Sequence, residues 1–322
     1  MSHVHGRIGL ISNPKSGGYV RSRAALDRLL PGMPEILDRE LTSDSALPDL
    51  MDDLAAAGIE VLIVNGGDGT AMRILSALFE SRAFTTLPAV ALLQGGTANM
   101  TAADLGARGA PARAVVRILE RLRSGKLQEH LIDRPVLKVD NILSHAPMRG
   151  FFFGLAGIVD SIRLCATDFI SRGIGGEIAH FGTLLTFLTR AAVRGPANAG
   201  IGGLEVEVRF PDAPGFAGQQ LLLFASTLDR LVLRSKPFWG EGDGPVHLTS
   251  VAQGAPRPLL AVPRALLGLG RGLPRKHYRS VRTVRAELRF DGPFTIDGEF
   301  FHAGAGRPLI VSADERLRFV HF

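Results

Sequence analysis

The chain has 322 residues, enough for one large or two ordinary domains, and its 46% hydrophobic and 21% charged content is that of a globular protein, not a disordered one. Its 38 glycines and 19 prolines follow no period, which excludes collagen-like and low-complexity readings. A formal charge of +6 suggests anionic partners, without choosing among nucleotides, nucleic acid and acidic headgroups.

No run of about 18 apolar residues occurs, so no membrane-spanning helix is expected. The opening "MSHVHGRIGLISNPKSGG" lacks the basic start and apolar core of a secretion signal. The single cysteine, Cys165, excludes an intrachain disulfide and suits a reducing compartment, so a cytoplasmic location is expected.

In chain order, "IGLIS" (Ile8 to Ser12) predicts a buried strand and Val20 to Leu30 a helix. Ser43 or Asp44 is placed to cap a helix running to about Ala57. "VLIVN" predicts a strand, Thr70 to about Ser81 a helix, "AVALLQ" (Ala89 to Gln94) a strand, and Pro111 to Ser124 a helix. Apolar strands alternating with helices indicate βαβ units on a mostly parallel sheet. From about Leu131 the rhythm changes. "LEVEVRF" alternates with period two, and "QLLLFAST", "VHLTSVA", "VRAELRF" and "PFTIDGEFF" read as further strands. A helical stretch, Ile178 to Arg194, and the loop "GPANAGIGG" lie among them. The expected fold class is α/β, with a Rossmann-like parallel-sheet nucleotide domain followed by a β-rich domain.

Three predicted strands end in unusual loops: "SNPKSGG" (Ser12 to Gly18), "NGGDGT" (Asn65 to Thr70) and "QGGTANMTA" (Gln94 to Ala102). In a parallel sheet all strand C-termini share one rim, where ligands bind. Glycine turns that expose N–H groups at helix starts suit phosphate. Each loop alone also fits a plain tight turn; three on one rim favour the phosphate site. None matches Walker A or the GxGxxG fingerprint. Lys15 is a candidate phosphate contact. Asp68 repels phosphate directly, so it implies Mg²⁺ between them or a general base near the attacking hydroxyl.

"NPKSGG", "GGDGT" and "GGTAN" in this order, with "DGE" at Asp297 to Glu299, resemble the diacylglycerol kinase catalytic-domain family, which includes bacterial lipid kinases and sphingosine kinases and is related in fold to NAD kinases and phosphofructokinases. The resemblance implies an ATP-dependent lipid kinase whose N-terminal α/β domain and C-terminal β-sandwich enclose a cleft. It implies domains at about 1–130, with a C-terminal return at about 307–322, and at 131–306. Carried over by motif, Asn13, Pro14, Lys15, Ser16, Gly17, Thr42, Gly66, Gly67, Asp68, Gly69, Thr70, Gly96, Thr97 and Asn99 would hold the nucleotide. Glu299 or Asp68 would accept the proton, with Asp297 and Asp133 beside them. Asp68 and Asp297 are the implied ligands of a catalytic Mg²⁺, and Asp243 that of a structural one. The chain departs from the family at Met72, Arg73 and Met100, where polar or acidic residues are usual.

Between Arg257 and Arg289 nine Lys or Arg face one acid, Glu287, with apolar residues interleaved. This pattern suits the anionic headgroups of a membrane surface; a solvated basic face fits nearly as well. The expected partners are a lipid substrate at the inner face of a membrane and anionic phospholipid, with a homodimer possible; no nucleic-acid module is recognisable. The alternatives are an NAD kinase-like enzyme, which shares "GGDGT", and a degenerate member that binds lipid or nucleotide without turnover.

Overall fold

Ile8–Ser12 (β1) and Val61–Gly66 (β3) are buried along their whole length, the mark of strands covered on both faces. In the computed structural model they pair in parallel, Ile8 opposite Val61, as the centre of a six-stranded sheet. The structure describes residues 8–96, 99–107, 109–164, 203–231, 235–256, 261, 264–265 and 267–321. Thr97, Cys165, the predicted Ile178 to Arg194 helix and part of the basic stretch after Arg257 therefore lie outside the described residues.

Contacts divide the chain into two units, Met1–Arg134 with Arg316–Phe322, and Pro135–Glu315. In the first, β2 (Ile36–Glu40), β4 (Ala89–Gln94), β17 (Arg316–Val320) and β5 (Leu131–Pro135) complete the sheet in the order β2-β1-β3-β4-β17-β5. Period-two alternation along each strand sends side chains to opposite faces. Ile8, Leu10, Val61, Ile63, Ala89 and Ala91 pack against Leu26 of α1 (Tyr19–Leu29) and Val115, Ile118 and Leu122 of α5 (Pro111–Arg123). The opposite face takes α2 (Leu47–Ala56). Gly9 of β1 has to lack a side chain there, since a Cβ would lie 2.7 Å from Leu54 Cδ2. α3 (Asp68–Glu80) buries Ile74, Leu75 and Leu78, and α4 (Met100–Asp104) is a short helix that follows β4. The chain returns through β17, which is parallel to β4, and ends with His321 N donating to His130 O while Arg121 Nη1 donates to His321 O.

The second unit is an eleven-stranded sheet, and every strand pairing recorded in it is antiparallel. Its long strand β10 (Phe216–Ser226) pairs through its first half with β9 (Leu204–Arg209) and through its second with β8 (Phe152–Ala156). A register irregularity at Gln220–Leu222, where β10 meets β11 (Val246–Ala252), separates the halves. β12 (Tyr278–Thr283), β13 (Arg285–Arg289), β14 (Gly292–Ile296), β15 (Glu299–Ala303) and β16 (Leu309–Ser312) follow; β6 (Leu137–Asp140) and β7 (Met148–Gly150) form one end.

Several boundaries differ from the expected ones. β16 pairs with β13 and β6, so the return to the first unit begins at Arg316 and not near residue 307. Leu131–Arg134, expected to open the second unit, belongs to the first. α2 starts at Leu47 because a 3-10 turn, Asp44–Ala46, precedes it and Pro48 sits in its first turn. β2 escaped the sequence reading because "ILDRE" is only half-buried at the sheet edge and carries no clean apolar run.

Candidate functional site

The three glycine loops meet. In the first, Ser16 N donates to Asn13 O at 3.0 Å, a turn with Pro14 at the position its ring presets, and Lys15 N donates to Asn13 Oδ1 at 2.9 Å. Gly18 N donates to Gly95 O at 3.0 Å, joining this loop to the third, and Asn13 Nδ2 donates to Thr70 Oγ1 at 2.7 Å, joining it to the second. The second and third also approach backbone to backbone: a Cβ on Gly96 would lie 2.4 Å from Gly67 Cα, and one on Gly95 2.7 Å from Gly66 N. Glycine at these positions is what lets the chains approach.

Beneath the loops lies a buried polar layer. Asn65, the last polar residue of an otherwise apolar run, donates to Ser12 Oγ at 3.2 Å and Ser22 Oγ at 3.1 Å, while its Oδ1 has no partner. Neither Asn65 nor Ser22 was singled out from the sequence; a lone Asn closing an apolar strand was the available signal. Ser16 Oγ, in the first loop, is likewise buried without a partner. Thr42, exposed, follows β2 on the same rim, where Leu41 N donates to Ser12 O. Lys15 and Gly17 are exposed beside it.

Asp68 opens α3, and its carboxylate reaches across to the third loop, accepting from Met100 N at 3.2 Å and Thr101 N at 3.1 Å. Asn99 staples that loop shut: Gly96 N donates to its Oδ1 at 2.7 Å, its Nδ2 donates to Gly96 O at 2.9 Å, and its φ of 50° is a left-handed conformation that Asn tolerates. The departures from the family pattern have structural explanations. Met72 is 1% exposed in the core, and Arg73 pairs with Asp44 at 3.1 Å and donates to Gly69 O. Met100 enters the site through its backbone N–H.

The remaining acids have distinct surroundings. Asp133 lies on the edge strand β5 of the first unit, exposed and ion-paired with Arg316, whose Nη2 also donates to Asp133 O. Asp297 and Gly298 form the two-residue turn between β14 and β15, both with positive φ (48° and 90°), the combination a type I′ hairpin requires. Asp297 is 7% exposed, and its oxygens accept from Phe151 N at 3.0 and 3.2 Å and Phe152 N at 2.8 Å. Its neighbour Glu299 opens β15 and is exposed. Asp243 is an exposed turn residue.

One acid unnoticed in the sequence is Asp160 of α6 (Gly157–Leu164). Burial pushes its carboxyl above the usual range, against the opposing pull of Arg163, whose guanidinium lies 5.2 Å over the Phe300 ring. A folded state that favours the neutral acid is penalised once the acid ionises. Asp160→Asn should therefore raise the thermal midpoint at pH 7. The gain should fade as pH falls through the ordinary aspartate value of about 3.9 and be lost once wild-type Asp160 is protonated both folded and unfolded. Melting curves across that range check the sign.

The first unit's residues fit a nucleotide phosphate. The first-turn amides of α3 have no acceptor within the helix, and the unpartnered Ser16 hydroxyl shares the rim. Asp68 also suits Mg²⁺ in kind, since a carboxylate oxygen has two lone-pair directions and can accept an N–H and bind a cation together. Among the described residues no three His, Cys, Asp or Glu side chains converge. An ion held by one carboxylate and phosphate oxygens needs no such cluster, and among the described residues no such cluster includes Asp243. Gly96→Ala should push the second and third loops apart. Nucleotide affinity should fall roughly tenfold or more and stability by about 1–3 kcal/mol. Calorimetric titration checks this against Gly32→Ala, where a Cβ meets nothing within 4 Å.

Comparison with known proteins places these observations. Residues 7–129 match the model of the diacylglycerol kinase catalytic domain. Among solved structures, one described as "a putative diacylglycerol kinase" from Bacillus anthracis str. Sterne has a TM-score of 0.66 at 17% identity, covering 98% of this chain and 97% of that one. Another, of a diacylglycerol kinase from the same organism, has a TM-score of 0.58 at 15% identity with the same coverage. At such identities the likeness shows the fold. No curated protein matches.

Proposed function

We propose, from the premise that residues 7–129 belong to the diacylglycerol kinase catalytic-domain family, that this protein is an ATP- and Mg²⁺-dependent kinase acting on the hydroxyl of a lipid. The observation that carries the reading is the convergence of the three glycine loops, linked by Gly18 to Gly95 O, Asn13 to Thr70, and the Gly67–Gly96 backbone contact. Amides of the α3 first turn and the Ser16 hydroxyl bind phosphate oxygens, and Lys15 adds a positive charge on the same rim. Bound Mg²⁺ would offset the phosphate charge, held by Asp68. Asp68 also fixes α4, and with it the loop that Asn99 closes.

The proton acceptor is assigned to Glu299. Asp133 is occupied by Arg316 and Asp297 by two main-chain amides, whereas Glu299 forms no ion pair among the described residues and is exposed. A carboxylate that orients and deprotonates the attacking hydroxyl is what in-line phosphoryl transfer asks of the protein. The phosphoryl group moves from ATP to the lipid oxygen, and the hydroxyl proton goes to Glu299.

A second reading is favoured by the same geometry. With Asp133, Asp297 and Asp68 all engaged by the protein itself, a chain that binds nucleotide or lipid without turnover is also consistent. Transfer of labelled phosphate from ATP to a panel of diacylglycerol, monoacylglycerol, sphingoid base, ceramide and phosphatidylglycerol, with NAD as a further acceptor, separates the readings. Labelled lipid supports the kinase, labelled NAD the NAD kinase alternative, and ATP binding with no labelled product the binding-only reading.

A further inference from the structure

We propose that the loop carrying Arg264, Leu267, Leu269, Arg271, Arg275 and Lys276 in the second unit docks this protein onto an anionic phospholipid bilayer. Leu267 and Leu269 are 70% and 59% exposed, an unusual placement for two leucines one residue apart. The backbone that presents them is fixed. Gly268, with φ 74°, ends a helical turn as Gly268 N donates to Ala265 O at 2.9 Å and Leu269 N to Arg264 O at 2.8 Å, the two bonds of a Schellman closure. In that closure the residue at the position of Leu269 commonly makes an apolar contact within the chain; here it faces solvent.

The rest of the loop is anchored. Gly270 lies so close to the Trp239 ring that a Cβ would come within 2.2 Å of it, and Leu273 packs with Phe238 and Trp239 onto the buried cluster of Phe224, Val251 and Tyr278. The leucines are thus displayed on a held frame and are not the loose end of a tail.

Charge selects the occupant. Arg264, Arg271, Arg275 and Lys276 are all exposed, and among the described residues the one acid paired to them is Glu241, 3.4 Å from Arg271 with both side chains largely in solvent. Exposed apolar tips flanked along the chain by exposed cations match a surface with phosphates above and acyl chains below. A single-stranded nucleic acid would call for stacking aromatics, and none of the six is aromatic. The inference takes its sense from the lipid-kinase proposal. Its test is a binding measurement that needs no turnover, so the two can fail separately.

The test is co-sedimentation of the full chain with phosphatidylcholine vesicles, with and without phosphatidylglycerol. Wild type should sediment with the anionic vesicles and far less with the neutral ones. Leu267→Ser with Leu269→Ser should weaken binding at least roughly tenfold at any salt concentration. Arg264→Gln, Arg275→Gln and Lys276→Gln together should weaken it on the order of a hundredfold at low salt, at roughly fivefold per cation, with little difference at high salt. All these side chains are exposed, so both variants should melt like wild type, and a melting curve confirms that they fold. Wild type that ignores anionic vesicles, equal binding to neutral vesicles, or variants that sediment like wild type would each overturn the proposal.

Discussion

Glu299→Gln should lower phosphoryl transfer by roughly 10²–10⁴-fold while leaving the melting temperature and the nucleotide affinity unchanged. The substitution keeps the shape of the side chain and removes its capacity to take a proton. Glu299 sits at the first position of β15, held there by the tight turn that precedes it, and its side chain is exposed with no ion pair among the described residues. No ion pair among the described residues therefore depends on its charge. Labelled-phosphate assays on the responsive lipid, alongside a melting curve, measure both halves of the expectation. Turnover at the wild-type rate would remove Glu299 as the base and shift that role to Asp68.

Asp297→Ala, only two residues away, should do the opposite: it should unfold before it informs about chemistry. The Asp297 carboxylate accepts from the N–H groups of Phe151 and Phe152, and removing it takes a charged acceptor from two amides near the core. Alanine also tolerates a φ of 48° less well than aspartate. Together these cost roughly 3–5 kcal/mol, a fall of about 10 °C in the second unit's midpoint. Asp297→Asn keeps one acceptor oxygen and tolerates the left-handed backbone, so it should lose less than half as much. Chemical denaturation of the three proteins ranks them. An Asp297→Ala protein as stable as wild type yet inactive would return this residue to the reaction.

These two residues show how far a motif can be read. "DGE" marked both as candidates on equal terms, because a motif records residue types and spacing but not what each carboxylate faces. The hairpin decides. With Asp-Gly in a two-residue turn, the first acid is folded back against the β7–β8 backbone and the second is left at the surface. Asp133 was similarly legible as an acid near a strand start, but its partner Arg316 lies 183 residues away, beyond any local pattern. Asp160 carried no local signal at all, since its surroundings are made by packing.

The sequence by itself determined the alternation of apolar strands and helices in the first unit, the antiparallel character of the second, and the three glycine loops at strand ends. Those features depend on local periodicity and on dihedral freedom, which neighbouring residues express directly. Only the tertiary structure decided that the loops touch through paired glycines, that the chain returns at Arg316 to add β17 beside β4, and that three of the four candidate catalytic acids are engaged by the protein itself. Those outcomes depend on which distant backbone N–H or guanidinium arrives opposite each side chain, and strand order and register set that, not composition.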